Sequence, residues 1–235
     1  VARILVSAGH EVFGTTRRSD RVHQLDAVGV VGIVMDALDR ESVGRAIGAS
    51  APDAVVHQLT DLSGSDFAGN ARLREEGTAN LVDAARDGGV TRMVAQSISW
   101  AYEPGAVPAT EDEPLARDPA TGLPRFASIE TLEHSVLSLP HGVVLRYGLF
   151  YGPGTWYAAD ATVAALGWPP GVVNVVDDDP THVDEWGPLY VEAASGTVAS
   201  ITARADGRSA DNSRARALGW VPEHRSWRAS LLGTR

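Results

Sequence analysis

Three hydroxyl side chains, Ser97, Ser99 and Tyr102, lie close together at the end of an apolar run and are candidates for proton or hydrogen-bond chemistry. The run Arg92 to Ile98 is predicted to be a strand, so Ser97 and Ser99 share one of its faces and Ile98 takes the other. A second group is Arg17-Arg18, flanked by Thr16 and Ser19. Two planar guanidinium forks beside two hydroxyls suit a phosphate, although arginines at a strand end can also be simply solvated. A third is aromatic: Tyr147, Tyr151, Trp156 and Tyr157 surround a Gly-Pro-Gly turn at 152–154. These rings offer either a substrate wall with hydroxyls or ordinary packing.

What is missing narrows the chemistry. The chain contains no lysine, so all 20 basic residues are arginine and no tyrosine has an ammonium group to lower its pKa. It contains no cysteine, which removes disulfides, thiolate nucleophiles and cysteine-based metal sites. The 7 histidines are not spaced as metal ligands, and no metal is expected. A formal net charge of −10 disfavours nucleic acid. No apolar run reaches the roughly 18 residues of a membrane span, and the first residues lack a signal-peptide pattern. A cytoplasmic protein with a small-molecule partner is the expectation.

The elements that must position these groups alternate between helical and strand patterns, which predicts parallel βαβ units. Residues 1–8 are predicted to be helix ended by Gly9, and 11–16 strand. A helix at 21–28 precedes a strand at 30–35, and a helix at 41–47 precedes a strand at 54–59. A long helical segment ends near Asp87 and leads to the strand at 92–98. Residues 103–124 are proline-rich and acidic, and predict a loop. A helix at 128–139, a strand at 143–149 and a strand at 172–176 follow. Short helices are predicted near 183–194, 210–218 and 227–232.

Several stretches, in their order, resemble the extended short-chain dehydrogenase/reductase family, the epimerase/dehydratase group. They are AGHEVFGTTRR (8–18), VMDALDRESV (34–43), EGTANLVDAARDGGVTRMVAQSISWAY (76–102), LRYGLFYGPGTWY (145–157) and NSRARALGWVP (212–222). The resemblance implies an α/β fold: a Rossmann-type doubly wound parallel sheet with a small C-terminal substrate lobe. Residues 1–150 would form the dinucleotide-binding domain and 151–235 mainly the substrate lobe, interleaved with it. In that order, 3-2-1-4-5, the first strand and its Gly-rich turn have no counterpart here, because Gly9 already follows a helix. Deleting a central strand would orphan buried backbone groups at about 1–3 kcal/mol each, so the chain as printed is expected to lack a native segment there. A second break is expected near Asp160.

By the same resemblance, NADP is the implied cofactor, with NAD possible. Arg17 and Arg18 would receive a 2′-phosphate. Asp36 and Ala37 would meet the adenine, though Asp36 or Asp39 could equally cap the next helix. Gln58, Leu59 and Thr60 would line the middle of the cofactor, with His57 a packed strand residue. Gln96 would sit by the nicotinamide ribose, and Tyr147 and Leu149 by the nicotinamide. A homodimer through segments 66–87 and 128–139 is also implied.

The family's catalytic Tyr-x-x-x-Lys pair is absent. Counting back from Glu133 places Ile129 in the lysine position and Arg125 in the tyrosine position. Ser97, Ser99 and Tyr102 are the candidate substitutes. Arg125, Tyr151, Trp156 and Tyr157 are the candidate substrate contacts, with Arg125 unable to act as a base. Asp61 and Glu130 are proton carriers or merely solvated charges. The resulting expectation is an NADP-binding oxidoreductase of the epimerase/dehydratase type acting on a small carbonyl or alcohol. The alternative is a dinucleotide-binding protein without redox chemistry, either a sensor or an isomerase, cyclase or lyase.

Overall fold

The computed structural model describes residues 1–60, 67–148, 157–181, 185 and 208–228. Chain order within them is α1 (Ala2–Ser7), β1 (Phe13–Thr16), a short 3-10 turn (Ser19–Arg21), α2 (Val22–Asp26), β2 (Val31–Val34), α3 (Arg40–Ser50) and β3 (Ala54–His57). Then come α4 (Phe67–Arg72), a π turn (Leu73–Gly77), α5 (Thr78–Asp87), β4 (Arg92–Ile98), α6 (Ala127–Leu137), β5 (His141–Tyr147), α7 (Tyr157–Ala164), β6 (Gly171–Val175) and α8 (Ser213–Ala217). The alternation of apolar strands with amphipathic helices gives the expected α/β fold, Rossmann-like with parallel pairing.

The strands form two sheets, β1-β2 and β3-β4-β5-β6. β1 and β2 pair in parallel with Phe13 opposite Val31, and β3 and β4 in parallel with Ala54 opposite Arg92. Among the described residues no strand joins β1 to β3. The chain divides into two compact units. The first holds Val1–Gln96, Ser128–Val144 and Thr162–Gly171, and the second Ser97–Ala127, Leu145–Ala161 and Val172–Arg235.

Local sequence explains most boundaries in the first unit. Gly29 and Gly89 take φ of 77° and 75° after α2 and α5, where a left-handed residue stops a helix with little strain. The next residues, Val30 and Val90, return their N–H groups to Leu25 and Ala85, and both side chains are buried at the start of the following strand. Asp39 caps α3 by accepting from the N–H groups of Glu41 and Ser42 at 3.0 and 3.2 Å. α3 buries Val43, Ala46 and Ile47, and α5 buries Leu81, Ala84 and Ala85, the i, i+3, i+4 stripe of a helix that packs on one side. Each large apolar side chain so buried contributes about 1.5–3 kcal/mol. Gly14 and Gly32 lie opposite each other across β1 and β2, and a Cβ at either would come within 2.7 Å of a valine methyl. Their bareness lets Leu25 and Val22 of α2 pack close against the β1-β2 pair.

Most element boundaries shift by one to three residues from expectation, and four of the differences bear on the site. The strand expected to reach residue 59 stops at His57, because the His57 ring takes the Leu59 N–H and turns the chain. The strand expected at 143–149 runs instead from His141 to Tyr147, although the Gly148 N–H still reaches the Val175 carbonyl at 3.3 Å. The helix expected at 21–28 is shorter, and begins as a 3-10 turn. The long helical segment is interrupted by the π turn at Leu73–Gly77. The helix expected at 183–194, apart from Glu185, and most of that at 227–232 lie outside the described residues.

Candidate functional site

Most residues expected to hold the cofactor belong to the first unit, and those expected to do chemistry belong to the second. In the first unit they stand just past the ends of three strands. Beyond β1 the chain is exposed at Arg17, Arg18, Ser19 and Asp20. The Arg18 N–H donates to Thr16 Oγ1 at 3.2 Å, and its guanidinium forks onto Asp20, with Nε to Oδ1 at 3.0 Å.

Beyond β2, Asp36 and Ala37 are held from two sides. The Asp36 N–H donates to Ser42 Oγ at 3.1 Å, and Asp36 Oδ1 accepts the Leu38 N–H at 3.0 Å. Asn80 of α5 donates through Nδ2 to the Ala37 carbonyl at 2.9 Å. A Cβ on Gly77 would lie 3.5 Å from the Ala37 Cβ, so the π turn brings the helix close to this strand end. With Asp39 as the α3 cap, the Asp36 carboxylate is exposed and available to accept from an amino group.

Beyond β3, each of four successive residues has a tie. His57 is 2% exposed, and its Nδ1 accepts the Leu59 N–H at 3.3 Å. That leaves the ring proton on Nε2, which donates to Thr78 Oγ1 at 2.9 Å. Burial holds the imidazole down at about 4, so it is neutral at physiological pH. Gln58 donates to Thr162 Oγ1 of α7 at 2.8 Å, and Thr60 donates to Asn70 Oδ1 of α4 at 3.2 Å. Gln96, half-buried, ends this unit on β4.

In the second unit Ser97 and Ser99 are both buried while Ile98 is half-buried, the alternation that a shared strand face requires. Tyr102 is 2% exposed, and its hydroxyl donates to Asn174 Oδ1 at 2.7 Å. Asn174 is itself held on β6: its Nδ2 donates to the carbonyls of Ala109 and Asp211, and its N–H to Glu111 Oε1 at 2.8 Å. The Arg146 guanidinium lies 4.8 Å from the Tyr102 ring centre. Burial pushes the Tyr102 phenol up despite Arg146, so it keeps its proton. Its geometry is that of an anchor between the loop after β4 and β6.

Ile129 and Arg125 are the positions counted back from Glu133 in the sequence. Ile129 is 1% exposed in α6, and Arg125 is exposed with its N–H on the Ala116 carbonyl at 2.9 Å. Tyr147 is buried on β5. Tyr157 opens α7, whereas Leu149, Tyr151, Trp156 and Asp61 lie outside the described residues. Among the described residues no cluster of His, Cys, Asp or Glu has metal-binding geometry, and no helix is long and apolar enough to cross a membrane.

Sequence reading missed Asn174, Glu111 and Arg146. A signal existed for Arg146 alone: one charge inside the apolar run VVLRY implies a partner in the fold.

Comparison with known proteins bears on these strand ends. A family model described as NAD(P)H-binding matches residues 1–121. A Streptomyces protein named 3-diazoavenalumate denitrifying reductase is 38% identical over 287 aligned positions, covering 97% of this chain and 93% of that protein. Among solved structures, UDP-glucose 4-epimerase of Thermotoga maritima superposes with a TM-score of 0.74 at 19% identity, covering 97% of this chain and 90% of that one. The UDP-glucose 4-epimerase of Thermus thermophilus in complex with NAD gives 0.71 at 22% identity, covering 98% and 92%. The Bordetella bronchiseptica enzyme WbmG in complex with NAD and UDP gives 0.73 at 20%, covering 99% and 89%. At such identities the structural likeness speaks to the fold.

Proposed function

The chain belongs to the NAD(P)H-binding family, and on that premise we propose that it is an NADP-linked reductase of the extended short-chain dehydrogenase/reductase group whose substrate needs no proton from the protein. The observation that carries this reading is Ile129, buried where the family would place its lysine, in a chain that contains no lysine. A carbonyl or alcohol substrate, the expectation from sequence, exchanges a proton along with the hydride and so calls on an acid or base. An organic carboxylate that carries its diazo function as a cationic diazonium, within the class in the name of the Streptomyces relative, does not.

When bound, reduced nicotinamide would supply a hydride, and a diazonium that accepted it at carbon would release N2 with the C–N bonding pair, a balance that needs no proton. The protein's part is then binding and orientation. Arg17 and Arg18 fit a 2′-phosphate by charge and fork geometry. Asp36 and Ala37 fit the adenine, and the tied turn Gln58–Leu59–Thr60 with Gln96 the middle of the cofactor. Tyr147 and Leu149 would border the nicotinamide. Ser97 and Ser99 are offered as hydrogen-bonding groups for substrate, and Tyr102 as the anchor of the segment that follows them. Arg125, Tyr151, Trp156 and Tyr157 are offered as substrate contacts, an arginine suiting a carboxylate. The same reading has the protein cytoplasmic and homodimeric through segments 66–87 and 128–139, which expose Phe67 and Leu137.

The test is absorbance at 340 nm with NADPH and matched substrates, an arenediazonium carboxylate and a panel of ketones and aldehydes. NADPH oxidation with stoichiometric N2 from the diazonium alone supports the proposal. Turnover of ketones would return the reading to carbonyl reduction. Binding of NADPH with no oxidation by any compound would favour the non-redox alternative, which the missing acid–base pair also fits.

A further inference from the structure

We propose that Asp20 sets how strongly this chain discriminates between the two nicotinamide dinucleotides, by holding the Arg18 guanidinium in a pair that a 2′-phosphate must displace. The inference rests on the reading above, that the tip beyond β1 receives the adenosine ribose. Arg18 has extended backbone, with φ −113° and ψ 114°, and its N–H is fastened to Thr16 Oγ1. The 3-10 turn Ser19–Arg21 then curls the chain so that the Asp20 carboxylate faces back toward Arg18. Two of the guanidinium's nitrogens, Nε and Nη2, reach one carboxylate oxygen each.

That is the edge by which a guanidinium grips a phosphate. A carboxylate and a phosphate therefore compete for the same donors, and the loser is left as a like charge beside the winner. The pair is more than half exposed on both sides, 59% and 61%, so water can replace the bond at small cost. A ribose 2′-hydroxyl carries no charge and makes no such demand on Arg18. Asp20 consequently weakens binding of the phosphorylated cofactor and leaves the other nearly untouched. Sequence reading passed over Asp20 because it lies beyond the strand tip; only the 3-10 turn brings its carboxylate back to Arg18.

The experiment is calorimetric titration of the protein with NADPH and with NADH, in the parent chain and in Asp20→Asn, Arg18→Ser and the double variant. Asp20→Asn keeps the side chain's shape and removes its charge. It is expected to tighten NADPH about two- to fivefold, the scale of an exposed ion pair, with NADH changed by less than about twofold. The gain should vanish in the double variant, since it is transmitted through Arg18. If Arg18→Ser weakens NADPH while Asp20→Asn leaves it unchanged or weaker, the role given to Asp20 is overturned and the phosphate site stands. A gain that survives without Arg18 also overturns it, as diffuse repulsion would then suffice. If Arg18→Ser has no effect on NADPH, the tip does not receive the phosphate and the underlying reading falls first.

Discussion

Lowering the pH should destabilise this protein through His57 before its carboxylates titrate. The ring is 2% exposed and burial holds its pKa at about 4, against an ordinary value of 6.5. A folded pKa below the unfolded one means that the unfolded chain takes up the proton first. The stabilising effect is therefore complete above pH 6.5 and is lost as pH falls toward 4. A displacement of that size corresponds to about 3 kcal/mol across the window, a large part of the stability of an ordinary domain. His57→Gln removes the titration. It should also cost about 1–2 kcal/mol at every pH, because the bonds to Thr78 and Leu59 are altered. Urea unfolding followed by tryptophan fluorescence at pH 7.5, 6.5, 5.5 and 4.5 gives both curves. The parent should lose stability faster than the variant, so that the two curves cross between about pH 6 and 5. Parallel curves over this range would refute the buried neutral imidazole.

Three further outcomes follow from the two units. Tyr102→Phe strands Asn174 Oδ1 without its donor and should cost about 1–2 kcal/mol in unfolding experiments, with hydride transfer changed by no more than about threefold; a loss of 10²–10⁴ in single-turnover rate would make Tyr102 an acid rather than an anchor. Ile129→Lys should destabilise by several kcal/mol in thermal melts, because an ammonium would be desolvated in a site 1% exposed. A stable variant with new ketone reductase activity would show that the position faces substrate after all. Asn80→Ala frees the Ala37 carbonyl and should raise the Kd for dinucleotide a fewfold while leaving kcat in place; an unchanged Kd would detach α5 from the adenine end.

Sequence alone determined the alternation of helix and strand, and it did so through local rules. β4 was legible to the residue, because an apolar run lies between a glycine stop and the serines at its end. The α3 cap was one of two aspartates open to sequence reading, and backbone geometry selects Asp39. The absence of lysine from these 235 residues was legible by composition, since a missing residue type needs no contacts to be known.

What only the tertiary structure decided are bonds between distant segments. Tyr102 meets Asn174 at a sequence separation of 72, and Gln58 meets Thr162 at 104. No periodicity encodes such partners, because they depend on which strand ends the sheet brings together. Folding also changed what Tyr102 can do: sequence placed a hydroxyl at a sheet edge, and burial against Asn174 and Arg146 keeps that hydroxyl protonated and fastened. Desolvation and a fixed acceptor arise only in the packed molecule, so no reading of the sequence could supply them.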